Sequence, residues 1–191
     1  MKPTFLLLNG SLSGESGNTT ALLRRAASVL QPHGEVLNLT LTPQVSFAEV
    51  EPALARATAL VIGTGTYWDS WSHLLQRFLE DATASEGTSL WLGKPAGVLV
   101  TMHSVGGKGV LSRLQGVLNT FGCMIPPMSG MVFSHVGQAA LATDADGLPD
   151  LWCREDVDVI CHNLVAALQS QPHYRAWPVD RGDAKARWIQ D

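Results

Sequence analysis

Apolar residues follow two rhythms along this chain. Unbroken runs over residues 4–9, 59–63 and 96–101 alternate with longer stretches in which apolar positions recur every three or four residues. An unbroken run of this length reads as a strand buried on both faces, and the three-to-four recurrence reads as a helix with one face on a core. Strands are therefore expected at 4–9, 35–39, 59–63 and 96–101, with a fifth inside 129–134. A helix is predicted over 18–30 from Leu22, Leu23, Ala26, Ala27 and Leu30, with Gly34 beyond its end. Others are predicted over 47–56, from Ser72 to Asp81 through Leu74, Leu75, Phe78 and Leu79, and over 109–121 with Gly122 as C-cap. Residues 154–168 carry Val157, Ile160, Cys161, Leu164 and Leu168 at helical spacing, whereas 135–150 has mixed signals and reads as a loop.

Strands that alternate with helices form a parallel sheet covered on both faces and joined by right-handed crossovers. With five strands the expectation is a flavodoxin-like α/β three-layer sandwich of strand order 2-1-3-4-5. Residues 1–170 make one such domain. The remainder, 171–191, holds Trp177 and Trp188, matches no core element, and reads as an arm suited to a subunit interface.

Composition narrows the function. The chain has 191 residues, 46% of them hydrophobic and 16% charged, which suits one folded globule. A net charge of -4 offers no positive field for nucleic acid or an anionic membrane, so neither partner is expected. No apolar run approaches the ~20 residues of a spanning helix. Residues 1–8 lack the long apolar core of a secretory signal, so a cytoplasmic protein is expected. Cys123, Cys153 and Cys161 have no pairing or zinc spacing, and His33, His73, His103, His135, His162 and His173 show no ligand spacing; no metal is expected.

In a doubly wound sheet, ligands bind beyond the C-terminal strand ends where the strand order reverses, here at the loops after strands one, three and four. These loops are also where the apolar pattern breaks. The first supplies Ser11, Ser13, Ser16, Gly17, Asn18 and Thr19 before a helix, an arrangement that suits a phosphate on free amides and hydroxyls and equally suits a well-capped helix start. It is neither a P-loop nor a dinucleotide fingerprint. The second offers Thr66, Tyr67, Trp68 and Asp69, with aromatic rings that could stack on a flat ligand or pack against a subunit. The third brings Met102, His103, Ser104, Gly106 and Gly107, whose glycines admit close backbone approach. His103 could support a charge or proton near neutrality, or simply bond locally.

Over most of residues 4–127 the sequence resembles the NAD(P)H-dependent FMN reductases and related flavodoxin-like quinone reductases. Their phosphate loop reads G-S-x-R-x-x-S-x-N, and residues 10–18 match every fixed position except the arginine, which is Ser13. Their second motif, T-P-x-Y-W-G-S-x-S-x-x-L-K-x-F-x-D, is matched by Thr64, Tyr67, Trp68, Ser70, Ser72, Leu75 and Phe78. Gly65, Asp69, Gln76 and Glu80 depart from it. Gly93-Lys94-Pro95, Gly106-Gly107 and Phe121-Gly122 resemble later landmarks.

The resemblance implies FMN as cofactor and NAD(P)H as co-substrate, with hydride passed on to a quinone, flavin or similar small-molecule acceptor. The flavin carries that chemistry, so no catalytic side chain is implied. Ser11, Ser16, Asn18 and Thr19 would hold the phosphate, residues 67–69 one part of the ring and residues 102–107 another. Without the arginine, amides and hydroxyls carry the phosphate, and Asp69 sets a carboxylate near the ring. Homodimers or homotetramers are implied, with Trp68 and Trp71 as interface candidates. Two other readings stay open: an electron carrier of the flavodoxin type, and a binding module that has lost flavin.

Overall fold

The computed structural model describes residues 2–143, 151–170, 172–178 and 189. Five strands, β1 (Thr4–Asn9), β2 (Glu35–Thr40), β3 (Ala59–Gly65), β4 (Ala96–Met102) and β5 (Gly130–Ser134), form one sheet in the order β2-β1-β3-β4-β5. Every pairing is parallel. β1 and β3 are buried along their whole length, which is why their sequences are unbroken apolar runs.

Successive side chains of a strand point to opposite faces. Phe5, Leu7, Val61 and Leu99 pack with Leu22 and Leu23 of α1 (Asn18–Leu30) and with Ile160 and Leu164 of α6 (Val157–Ala167). Leu6, Leu8, Ile62 and Val98 pack on the other face. There they meet Val50 and Leu54 of α2 (Phe47–Arg56), Leu75 and Phe78 of α3 (His73–Asp81), and Leu111 and Leu114 of α4 (Gly107–Phe121). This is the three-layer flavodoxin-like sandwich. Trp91 lies fully buried beneath α3 and α4, with its indole N–H donating to Ser85 Oγ at 2.8 Å.

Two segments differ from the sequence expectation. Residues His135–Thr143, expected as loop, form a helix, α5. It buries none of its side chains, so its sequence had no apolar stripe to show. The rest of that expected loop, 144–150, lies outside the described residues. α4 starts two residues earlier than expected, because Gly106 at φ 86° turns the chain into the helix. Of the C-terminal stretch, 172–178 lies along the chain's own body: the Tyr174 hydroxyl donates to Met124 Sδ at 3.5 Å and the Trp177 indole to Glu86 Oε1 at 3.1 Å. Trp188 lies outside the described residues. No helix among the described residues is long and apolar enough to cross a membrane.

Candidate functional site

The strand register brings the three loops together. Asn9 pairs with Gly63 and Gly65 with Thr101, so the chain leaves β1, β3 and β4 at one level, beside the place where the strand order reverses. Backbone bonds continue the alignment past the strands: Gly10 N donates to Gly63 O at 2.8 Å and Thr66 N to Thr101 O at 2.8 Å.

Asn9, the last residue of β1 and 3% exposed, shapes the first loop. Its Oδ1 accepts from Ser11 N at 3.0 Å, and its Nδ2 donates to Gly14 O at 3.0 Å and Thr20 Oγ1 at 2.8 Å. The Ser72 hydroxyl grips the same loop by donating to Gly10 O, while its oxygen caps α3 by accepting from Leu75 N. Gly17 serves as N-cap of α1 without a side chain. A Cβ there would stand 2.6 Å from Ser13 Cβ. The amides of Asn18 and Thr19 have no hydrogen-bond partner among the described residues, and they open the positive end of α1 to the cleft.

The second loop folds into a tight turn in which Tyr67 N donates to Ser70 O (2.8 Å) and Ser70 N to Tyr67 O (3.0 Å). Trp68 (φ 49°) and Asp69 (φ 57°) both lie in the left-handed region, a strain of about 1–2 kcal/mol each that the surroundings must hold. They do so at two points. Leu12 N donates to the Tyr67 hydroxyl at 2.9 Å, and Arg113 Nη2, from α4, donates to the Asp69 carbonyl. The glycine at 65 has a local reason too: the Tyr67 ring lies over it, and a Cβ would approach the ring at 2.8–3.0 Å.

Between these loops and the end of β4 lies an open cleft of about 340 Å³. Ser11, Ser13, Asn18 and Thr19 line one end, Gly65, Thr66 and Tyr67 a side, and Thr101, Met102, His103 and His135 the other. Thr19 Oγ1 and Thr101 Oγ1 share a hydrogen bond of 2.9 Å across its floor. Among the described residues Ser11 Oγ and Thr66 Oγ1 are buried without a hydrogen-bond partner, as is Ser129 Oγ away from this cleft. Native structures rarely leave buried hydroxyls idle, so two in one cleft mark positions for ligand atoms. Among the described residues no lysine or arginine lines the cleft, so an anion there rests on amides, hydroxyls and the α1 dipole. The cysteines take no part: burial pushes the Cys123 and Cys161 thiols up to about 12.

Of the sequence candidates, Ser11, Ser13, Asn18, Thr19, Thr66, Tyr67, Met102 and His103 converge on the cleft. The others stand back from it. The exposed Ser16 bends its hydroxyl back to donate to Ser13 O at 3.1 Å, and Ser104 is exposed outside the lining. Gly107 is buried against Met102 and Val132. Trp68, 102% exposed, and Asp69 form the rim, where Asp69 Oδ1 lies so near Gly106 that any Cβ there would collide with it. Sequence reasoning missed Asn9, Thr101 and His135. The first two ended strands and looked like strand residues, and His135, whose ring centroid is 5.2 Å from that of His103, sat in the stretch read as loop.

Comparison with known proteins agrees with this geometry. No curated protein sequence matches the chain. Among solved structures, RosB with a bound flavin-phosphate intermediate superposes with a TM-score of 0.68 at 14% identity, covering 99% of this chain and 96% of that one. An NADH:FMN oxidoreductase in its apo form gives 0.66 at 19% identity, with coverages of 89% and 92%. A WrbA-like flavodoxin from Agrobacterium tumefaciens gives 0.65 at 14% identity, with coverages of 90% and 100%. At these identities the likeness establishes the flavodoxin-like fold. The sequence itself matches a family over residues 3–138: the chain belongs to the NADPH-dependent FMN reductases, with FMN as cofactor and NAD(P)H as co-substrate.

Proposed function

We propose that the cleft seats FMN with its phosphate on the first loop, and that the protein is an oxidoreductase carrying hydride from NAD(P)H to a small acceptor such as a quinone or free flavin. The observation that carries this reading is the pair of buried hydroxyl oxygens in the cleft without a partner among the described residues, Ser11 Oγ and Thr66 Oγ1, on two of the three loops that face it. Bound FMN supplies the hydride chemistry that no side chain here offers.

The chain's own residues bind and orient. Ser11, Ser13, Asn18 and Thr19 surround the phosphate position with hydroxyls and amides, and the neutral set suits a dianion through the α1 dipole. Thr66, Tyr67, Met102 and His103 flank the position of the ring. Asn9 and Ser72 fix the first loop, and the Tyr67 hydroxyl ties it to the second. The open cleft leaves room for a second reactant, first the nicotinamide and then the acceptor. Exposed Leu12 (46%), Trp68 (102%) and Val105 (74%) stand on the same three loops, an apolar fringe that assembly into a homodimer or homotetramer would cover.

Ser11→Ala and Thr66→Val test the reading. Each removes a hydroxyl that has no partner in the free protein, so the apoprotein should melt no lower than wild type. FMN affinity should still fall, by roughly tenfold or more where the hydroxyl meets a phosphate and by about two- to tenfold elsewhere. Unchanged FMN affinity in both variants would remove the basis of the proposal.

A further inference from the structure

A second cavity, of about 570 Å³, opens beside β5, the strand at one edge of the sheet. α4 supplies one bank with Lys108, Leu111 and Gln115, α6 the other with Val159 and Ile160, and Met128 stands on the lip before β5. None of its lining residues lines the first cleft, and its volume lies in the range of small-molecule sites. Ser129, 1% exposed, lines it with a hydroxyl oxygen that has no hydrogen-bond partner among the described residues. A buried hydroxyl left idle in a largely apolar lining marks a position for a ligand atom. Lys108 Nζ lies 4.9 Å from the centroid of the Trp152 ring, so a cation–π contact places the ammonium on the cavity wall. Lys108 makes no ion pair among the described residues. The other charged residue of the lining is already engaged: Asp156 Oδ2 accepts from Cys153 N at 2.7 Å. The lip is held as well. Asn163 Nδ2 donates to Pro127 O at 2.8 Å, next to Met128, whose backbone sits in the left-handed region at φ 50° with its side chain exposed.

We propose that this cavity binds a small carboxylic acid with an apolar body, at a site separate from the first cleft. The Lys108 ammonium receives the carboxylate. Met128, Trp152 and Val159 cover the body, and the Ser129 hydroxyl bonds to a polar atom that the body carries. The three parts do different work. Apolar walls supply most of the affinity, the ammonium selects an acid over its neutral analogue, and the buried hydroxyl selects among acids. An acid without an apolar body would gain only an exposed ion pair, which salt screens.

The test is binding of 2-naphthoate and its 6- and 7-hydroxy derivatives to the full chain by isothermal titration calorimetry, with and without saturating FMN. Wild type should bind one 2-naphthoate per chain, about fivefold more tightly than the neutral 2-naphthalenemethanol. At least one hydroxy derivative should bind about two- to tenfold more tightly still. Lys108→Gln should erase the preference for the acid, and Ser129→Ala the gain from the added hydroxyl. That serine has no partner to lose, so its variant should melt no lower than wild type. Trp152→Leu should weaken every probe, while FMN and the Ser11→Ala substitution in the first cleft should leave each affinity unchanged. A wild type that binds no probe overturns the proposal, as does binding that FMN displaces or that ignores both Lys108→Gln and Ser129→Ala. Dimers in sedimentation that Met128→Glu splits would show a second copy seated on this face, and would overturn it too. Should the chain bind no FMN, the first-cleft reading fails alone, and the Lys108 and Ser129 variants still decide this one.

Discussion

Removing the Asn9 side chain should unmake the phosphate loop from beneath. Asn9→Ala deletes three hydrogen bonds, from Ser11 N and to Gly14 O and Thr20 Oγ1, at a site 3% exposed. At about 1 kcal/mol net per bond the loss would be ~3 kcal/mol. The three do not weigh equally. Gly14 O keeps a donor in the Thr20 hydroxyl at 2.7 Å, whereas the Ser11 amide is left without an acceptor, so most of the cost falls there. A loss of about 2–3 kcal/mol corresponds to a Tm lower by roughly 4–12 °C in a chain of this size. FMN affinity should fall by about tenfold or more, because the Ser11 amide and hydroxyl lose their orientation. Asn9→Asp separates shape from charge. It keeps an acceptor for Ser11 N but sets a carboxylate beneath the phosphate, so it should bind FMN more weakly than Asn9→Ala even if it melts higher. Thermal unfolding of the apoprotein by circular dichroism and quenching of FMN fluorescence give the two readouts. An Asn9→Ala protein that melts within about 2 °C of wild type and binds FMN equally well would refute the assignment of Asn9 as the organiser of this loop.

Other consequences are quicker to check. Gly106→Ala forces a Cβ into a left-handed position against Asp69 Oδ1 and should lower Tm by several degrees, part of which the double variant with Asp69→Gly should recover. Tyr67→Phe removes the acceptor for an exposed amide, so unfolding free energy should change by less than about 1 kcal/mol while FMN binding weakens a few-fold. Lys94 is half-buried with Nζ 2.6 Å from Leu54 O, and burial lowers its pKa from 10.5 to about 8. Between those values the unfolded chain holds a proton that the folded protein has released, so this group adds stability as pH rises from about 8 to 10.5 and adds none below. Wild type should therefore gain on Lys94→Met across that interval in denaturant titrations, and parallel profiles would contradict the burial argument.

What the sequence shows and what it hides follow from where each constraint lives. β1, β3 and β4 are sandwiched between helices, so burial on both sides wrote itself into runs such as Phe5 to Leu8. α1 and α3 have one buried face each and show it in their spacing. α5 buries nothing, carries Gly137 in its midst, and so left no periodic trace. The site divides in the same way. Its serines and glycines break the apolar pattern and are visible in one dimension. The Thr19–Thr101 hydrogen bond joins residues 82 apart, which no local pattern encodes, and Asn9, whose partners lie 2 to 11 residues further on, read as the end of a strand. The turn at 67–70 was visible as an aromatic break, but its left-handed residues, the clamp from Arg113 and the lodging of Asp69 over Gly106 appear only when α4 is set beside it.

The central claim is that this cleft holds FMN where NAD(P)H can reduce it, and anaerobic spectroscopy of the reconstituted protein tests that most directly. Protein loaded with FMN and freed of excess by gel filtration should lose the flavin's visible absorbance when NADPH or NADH is added, and recover it when a quinone follows. A protein that retains no FMN, or whose bound FMN keeps its oxidised spectrum under both nucleotides, would contradict the account.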